Sequence, residues 1–94
     1  MKALTKKEKA RALMKVLPYL MTEFDRLTNA IEDRGWYGKT YFFMEELIER
    51  NPRELSDKQL RWISRALDVV YERGGGICYK KQLLPRKFFN QLLI

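Results

Sequence analysis

Trp36-Tyr37-Gly38-Lys39-Thr40-Tyr41-Phe42-Phe43, then Asn51-Pro52, then Leu55-Ser56-Asp57-Lys58-Gln59-Leu60-Arg61-Trp62-Ile63, is the stretch that decides the fold. From Gly38 to Arg50 the helical period places Tyr41, Phe43, Met44, Leu47 and Ile48 on one arc, with Glu45, Glu46 and Glu49 opposite. Asn51-Pro52 stops that helix, because the residue before a proline is pushed out of the helical region. A second helix then opens with a full set of start signals. Ser56 is an N-cap, Gln59 completes the capping box three residues later, and Leu55 with Leu60 take the hydrophobic staple positions. Over 56–73 the period turns Leu60, Ile63, Leu67, Val70 and Tyr71 inward and Lys58, Arg61 and Arg65 outward.

Working outward, Thr5-Lys6-Lys7-Glu8 is a second capping box and predicts a helix from residue 5. Its apolar stripe is Leu13, Val16, Leu17, Leu20, Phe24, Leu27 and Ile31, flanked by Ala10, Met14 and Met21. The stripe keeps phase across Pro18, so a kink or short break near Val16–Leu17 is expected without a change of face. Asp33-Arg34-Gly35 is expected to end the segment. On the other side, Gly74-Gly75-Gly76 predicts a flexible joint before a tail, 77–94. Ile77-Cys78-Tyr79 is compatible with extended chain. The run from Pro85 reads as a short helix with Phe88, Phe89, Leu92 and Leu93 on one face. The expected architecture is a single all-α domain over 1–94, a small bundle of three to five helices with the first kinked near Pro18.

Ninety-four residues, 46% of them apolar, allow one folded core and exclude a disordered chain. The basic start is followed by no apolar run of signal-peptide length, and no uncharged run approaches a membrane span. A chain neither secreted nor membrane-embedded is expected, acting in the cytoplasm of a bacterial host cell. A lone cysteine, Cys78, cannot form an intramolecular disulfide, fits a reducing compartment and is read as a small apolar residue. The net charge of +7 is uneven: residues 1–15 carry +5, 16–33 carry −3, 34–50 balance, 51–73 carry +1 and 74–94 carry +4. Cations gathered at the two ends suit a polyanionic partner or an acidic protein surface.

Catalysis has little to work with. There is no histidine, no phosphate-cradling glycine loop, no nucleophile elbow and no cysteine pair. No enzyme, cofactor or metal is expected, and Glu45, Glu46 and Glu49 read as a solvated face or a docking face for a basic partner. The basic rows carry more. Lys7, Arg11 and Lys15 recur every four residues, about 6 Å apart along a helix, close to the spacing of successive phosphates. Lys58, Arg61 and Arg65 form a second cluster beside Trp62, which projects roughly 200° from Leu60. That indole is either a stacking platform for an unpaired base or, with Ala66 and Val69, a second apolar edge packed under the first helix or the tail. Trp36 reads as a lid on the core. Phe42 falls among the glutamates, so it is either covered by the tail or an exposed anchor. No pair of consecutive helices has the layout of a helix-turn-helix, so weakly specific, phosphate-led binding is the expected mode of any nucleic-acid contact.

The pattern Trp36-x-Gly38-Lys39-x-x-Phe42, followed by Leu55-Ser56-x-Lys58-Gln59-x-x-Trp62-Ile63, resembles a small helical module of phage and plasmid DNA-processing proteins. The resemblance covers about 30 residues and coincides in part with general capping chemistry. It implies a phage or mobile-element origin, with partners among nucleic acids or the host machines that handle them. The leading expectation is a non-enzymatic binding protein engaging nucleic acid or a nucleic-acid-handling complex through Lys7, Arg11, Lys15, Lys58, Arg61, Trp62 and Arg65. An alternative is an inhibitor of a host protein machine, anti-CRISPR or polymerase-directed, anchored by Phe42, Phe88 and Leu92. A third is a homodimer whose apolar tails pair across a two-fold axis.

Overall fold

A computed structural model describes residues 3–93; Met1 and Lys2 of the basic start and Ile94 of the tail lie outside the described residues. The first helix, α1, spans Lys6–Thr28, and both halves of its capping box form: Thr5 Oγ1 accepts from the Glu8 N–H and Glu8 Oε1 accepts from the Thr5 N–H. It runs unbroken through Pro18, with Leu13, Val16, Leu17, Leu20 and Phe24 buried on both sides of the proline. Pro18 itself is exposed, so its ring lies on the solvent side of the helix.

The helix ends earlier than its apolar stripe suggests. Asn29 adopts the left-handed conformation (φ 54°) and donates its N–H to the Asp25 carbonyl, and a 3-10 turn follows at Ala30–Glu32. This change of direction takes Ile31 out of phase and leaves it 49% exposed, whereas Ala30 is fully buried. Asp33-Arg34-Gly35, expected as the terminator of the first helix, instead starts the second. Helix α2 spans Trp36–Arg50 and has no side-chain cap at Gly35. Asp33 Oδ2 substitutes by accepting from the Gly35 and Gly38 N–H groups, at 2.9 and 3.2 Å. Asn51, left-handed at φ 47°, closes α2 at the predicted place.

Helix α3, Asp57–Glu72, starts at Ser56 with the expected reciprocal box to Gln59 and buries Ile63, Ala66, Leu67 and Val70. The glycines after it form a packed turn where sequence suggests a flexible joint. The Gly75 N–H donates to the Val70 carbonyl and the Gly76 N–H donates to Glu23 Oε2 on α1.

The all-α expectation needs a correction in the tail. The chain is mainly helical, but strands β1 (Ile77–Tyr79) and β2 (Gln82–Leu84) pair antiparallel, with Ile77 opposite Leu84 and Tyr79 opposite Gln82. Lys80 and Lys81, at φ 52° and 64°, supply the two left-handed residues that a tight two-residue hairpin turn requires. Strand alternation sends Ile77 and Leu84 into the core and Cys78 with Leu83 into solvent, so Cys78 does not act as a core residue. The Tyr71 hydroxyl fastens the hairpin to α3 by donating to the Leu84 carbonyl and accepting the Ile77 N–H. A 3-10 turn at Arg86–Phe89 then leads into the short helix α4, Asn90–Leu93.

One hydrophobic cluster draws from every helix and both strands, with α1 at its centre against α2, α3, β1 and α4. The tail docks as expected: Phe89 is fully buried and Leu92 is 3% exposed. Both therefore belong to the core and are not free to pair with a second copy.

Candidate nucleic-acid interface

Because α1 and α2 pack side by side and are joined at one end, the loop that leaves α2 returns to the start of α1. Asn51, Pro52 and Arg53 there face Lys7, Arg11, Met14 and Lys15 across an open groove of about 500 Å³. Sequence spacing places the three α1 cations in a row. The fold adds Arg53 on the opposite wall, which no sequence signal indicates. All four cations are exposed, and no carboxylate lines the groove. Among the described residues none of the four makes an ion pair within 4 Å.

A carboxylate at the start of α1, Glu8, is already engaged. Glu8 is held below the ordinary carboxylate range, first by the Thr5 N–H and hydroxyl and more weakly by the Arg11 charge. It serves the helix start and leaves the groove open to an outside anion.

Other arginines are paired within the chain. Arg26 pairs with Glu23 through two hydrogen bonds, and Arg50 pairs with Glu46 at 2.7 Å. Arg86 bonds Asp68, Asn90 and Ser64, fastening the tail to α3. Arg73 joins three helices, donating to the Leu27 carbonyl and the Tyr37 hydroxyl while lying over the Tyr37 ring. Lys7, Arg11 and Lys15 on the first predicted row, by contrast, stay exposed and make no ion pair among the described residues.

The second predicted cluster does not join this groove. Lys58 and Arg61 are exposed on α3, whereas Arg65 lies over the Trp36 ring at 5.3 Å. Trp36 packs edge-on against Phe24, as a lid on the core would. Trp62 is half-buried, but its partner is neither α1 nor the tail. One indole face stacks on Phe43 of α2 at 4.3 Å and 8°, and its Nε1–H donates to the fully buried Thr40 at 2.8 Å. The indole is thus engaged within the fold and is not a free stacking platform.

Phe42 is 52% exposed and is not covered by the tail. It borders a hollow with Trp62, Phe43, Lys39 and Glu46. Phe88 is half-buried edge-on against Phe89 and Leu92 lies in the core, so the two tail anchors face inward.

No helix among the described residues is long and apolar enough to cross a membrane. Comparison with family models, curated proteins and solved structures finds no match to this chain, so its functional reading rests on the geometry above.

Proposed function

We propose that this chain is a non-enzymatic binding protein, of phage or mobile-element origin, that grips the sugar-phosphate backbone of a nucleic acid in the groove between α1 and the α2–α3 loop. The observation that carries this reading is the convergence of Lys7, Arg11, Lys15 and Arg53 on one carboxylate-free groove. Along α1 the cations rise in steps of about 6 Å, which matches successive phosphates on a strand. Met14 and Pro52 contribute apolar surface to the same groove, on which a sugar can rest. Such a site reads charge spacing and leaves base edges unread, so binding is weakly specific in sequence and steep in its salt dependence. Lys58 and Arg61 extend the positive field from α3 without sharing the groove.

The test is fluorescence anisotropy with labelled single-stranded and duplex oligonucleotides across a salt series. Arg11→Ala with Arg53→Ala should weaken binding to every sequence alike. It should also reduce the slope of log affinity against log salt by about 0.7 to 0.9 for each phosphate that is no longer neutralised. Absence of binding by the wild type at low salt, or an unchanged slope in the variant, would overturn the reading.

A further inference from the structure

Phe42 stands out on α2 because the helix has already buried its other large apolar groups in whole or in part. Next to this exposed ring is a shallow hollow of about 470 Å³, lined by Phe43, Trp62 and Gly38 together with the charged Asp33, Arg34, Lys39 and Glu46. A projecting ring and an unfilled aromatic hollow on the same face are the two halves of a self-complementary contact.

The charges follow the same symmetry. Lys39 lies three residues before Phe42 and Glu46 four after it, both turned to the same side of Phe42 by roughly 60° and 40° on a helix of 100° per residue. If two copies of α2 meet antiparallel about a two-fold axis near Phe42, Lys39 of each copy comes opposite Glu46 of the other. Lys39 has no ion pair among the described residues, and the Glu46–Arg50 pair is largely exposed, so both groups can take a partner across such an axis.

We propose that this face is an isologous homodimer interface in which Phe42 of one copy fills the hollow beside the stacked Phe43–Trp62 pair of the second, bracketed by two Lys39–Glu46 pairs. The occupant is a second copy because Lys39 and Glu46 lie on one side of Phe42 at nearly equal distances before and after it along α2, which is what a two-fold contact demands; of the other two charges in the lining, Asp33 already accepts from the Gly35 and Gly38 N–H groups and Arg34 is exposed. The hollow shares no lining residue with the cationic groove, so the proposal is independent of nucleic-acid binding. A contact built on one helix face lies at the small end of specific interfaces, below about 1,200 Å², so the dimer forms and dissociates with concentration.

Sedimentation velocity over a concentration series tests this, with circular dichroism to verify that each variant is folded. The wild type should approach twice the single-chain mass, and Phe42→Ala should raise the dimer dissociation constant at least about tenfold. Lys39→Glu alone and Glu46→Lys alone should each shift the chain toward monomer by placing like charges across the axis, and the double variant should restore the dimer. A wild type that stays monomeric overturns the proposal, as does a dimer that survives Phe42→Ala or a double variant that remains monomeric. Phe42-dependent binding of a different protein by a chain that is itself monomeric also overturns it.

Discussion

At the scale of single residues, Asp33 carries more of the architecture than its place in a short loop suggests. Its carboxylate caps α2, and its carbonyl lies where a side chain on Gly38 would have to go: a Cβ there would be 2.0 Å from Asp33 O and 3.3 Å from Ala30 O. Gly38 is buried, so α2 meets the preceding turn backbone to backbone. Gly38→Ala must therefore displace that turn or the helix start, and it should lower stability by about 2–3 kcal/mol despite alanine's better helix propensity. Urea denaturation monitored by circular dichroism measures this; a neutral or stabilising effect would show that the close approach does not exist. Trp62 has a related anchoring role. Its stack on Phe43 and its bond to Thr40 make the indole a strut between α2 and α3, so losing it would disturb folding as well as any contact it makes. The glycine and the tryptophan were visible in sequence as features, but their neighbours were not.

At the scale of elements, the two capping boxes and the apolar phases of three helices were legible because each depends on residues within a turn or two of one another. The hairpin was not. Sequence shows an extended segment at Ile77, but its turn uses Lys80-Lys81 in place of the Asn-Gly or Asp-Gly that normally announces such a turn. Two β-carbon-bearing residues held left-handed cost about 1 kcal/mol each, offset here by Ile77, Leu84 and Tyr71 fastening the strands to the core. Replacing Lys80-Lys81 by Asn-Gly should raise stability by about 1 kcal/mol and shift the thermal midpoint upward by several degrees. A lower midpoint would mean that the lysines are not in the strained conformation. The same replacement removes two cations that do not line the cationic groove, so nucleic-acid affinity should fall less than for Arg11→Ala.

At the scale of the whole molecule, folding divides the charge. Arg26, Arg50, Arg73 and Arg86 find partners within the chain, whereas Lys7, Arg11, Lys15 and Arg53 stay exposed around one groove without an ion pair among the described residues. Glu23 shows how one tie joins distant parts of the chain. The Arg26 guanidinium holds its carboxyl below the ordinary range, and the Gly76 N–H does the same to a smaller extent. A carboxyl depressed in the folded state adds stability above its unfolded pKa and loses it as pH falls through the folded value. Glu23→Gln should thus cost up to about 1 kcal/mol at pH 7, with the difference from wild type closing as pH falls below about 4. Parallel denaturation curves at neutral and acidic pH measure this, and a pH-independent difference would refute the linkage.

Sequence by itself determined that three long helices form, the ends marked at Thr5, Asn51 and Ser56, most of the faces they bury, and that cations recur every fourth residue on the first, since these follow from bonds and side-chain directions within a few residues. Only the tertiary structure decided that Arg53 faces that row, that Asp33 caps the helix after it, that Trp62 rests on Phe43, and that the tail begins as a hairpin. Each of these depends on segments far apart in the chain meeting at a particular distance. That distance is set by how the buried faces pack around α1, and local periodicity contains no record of it.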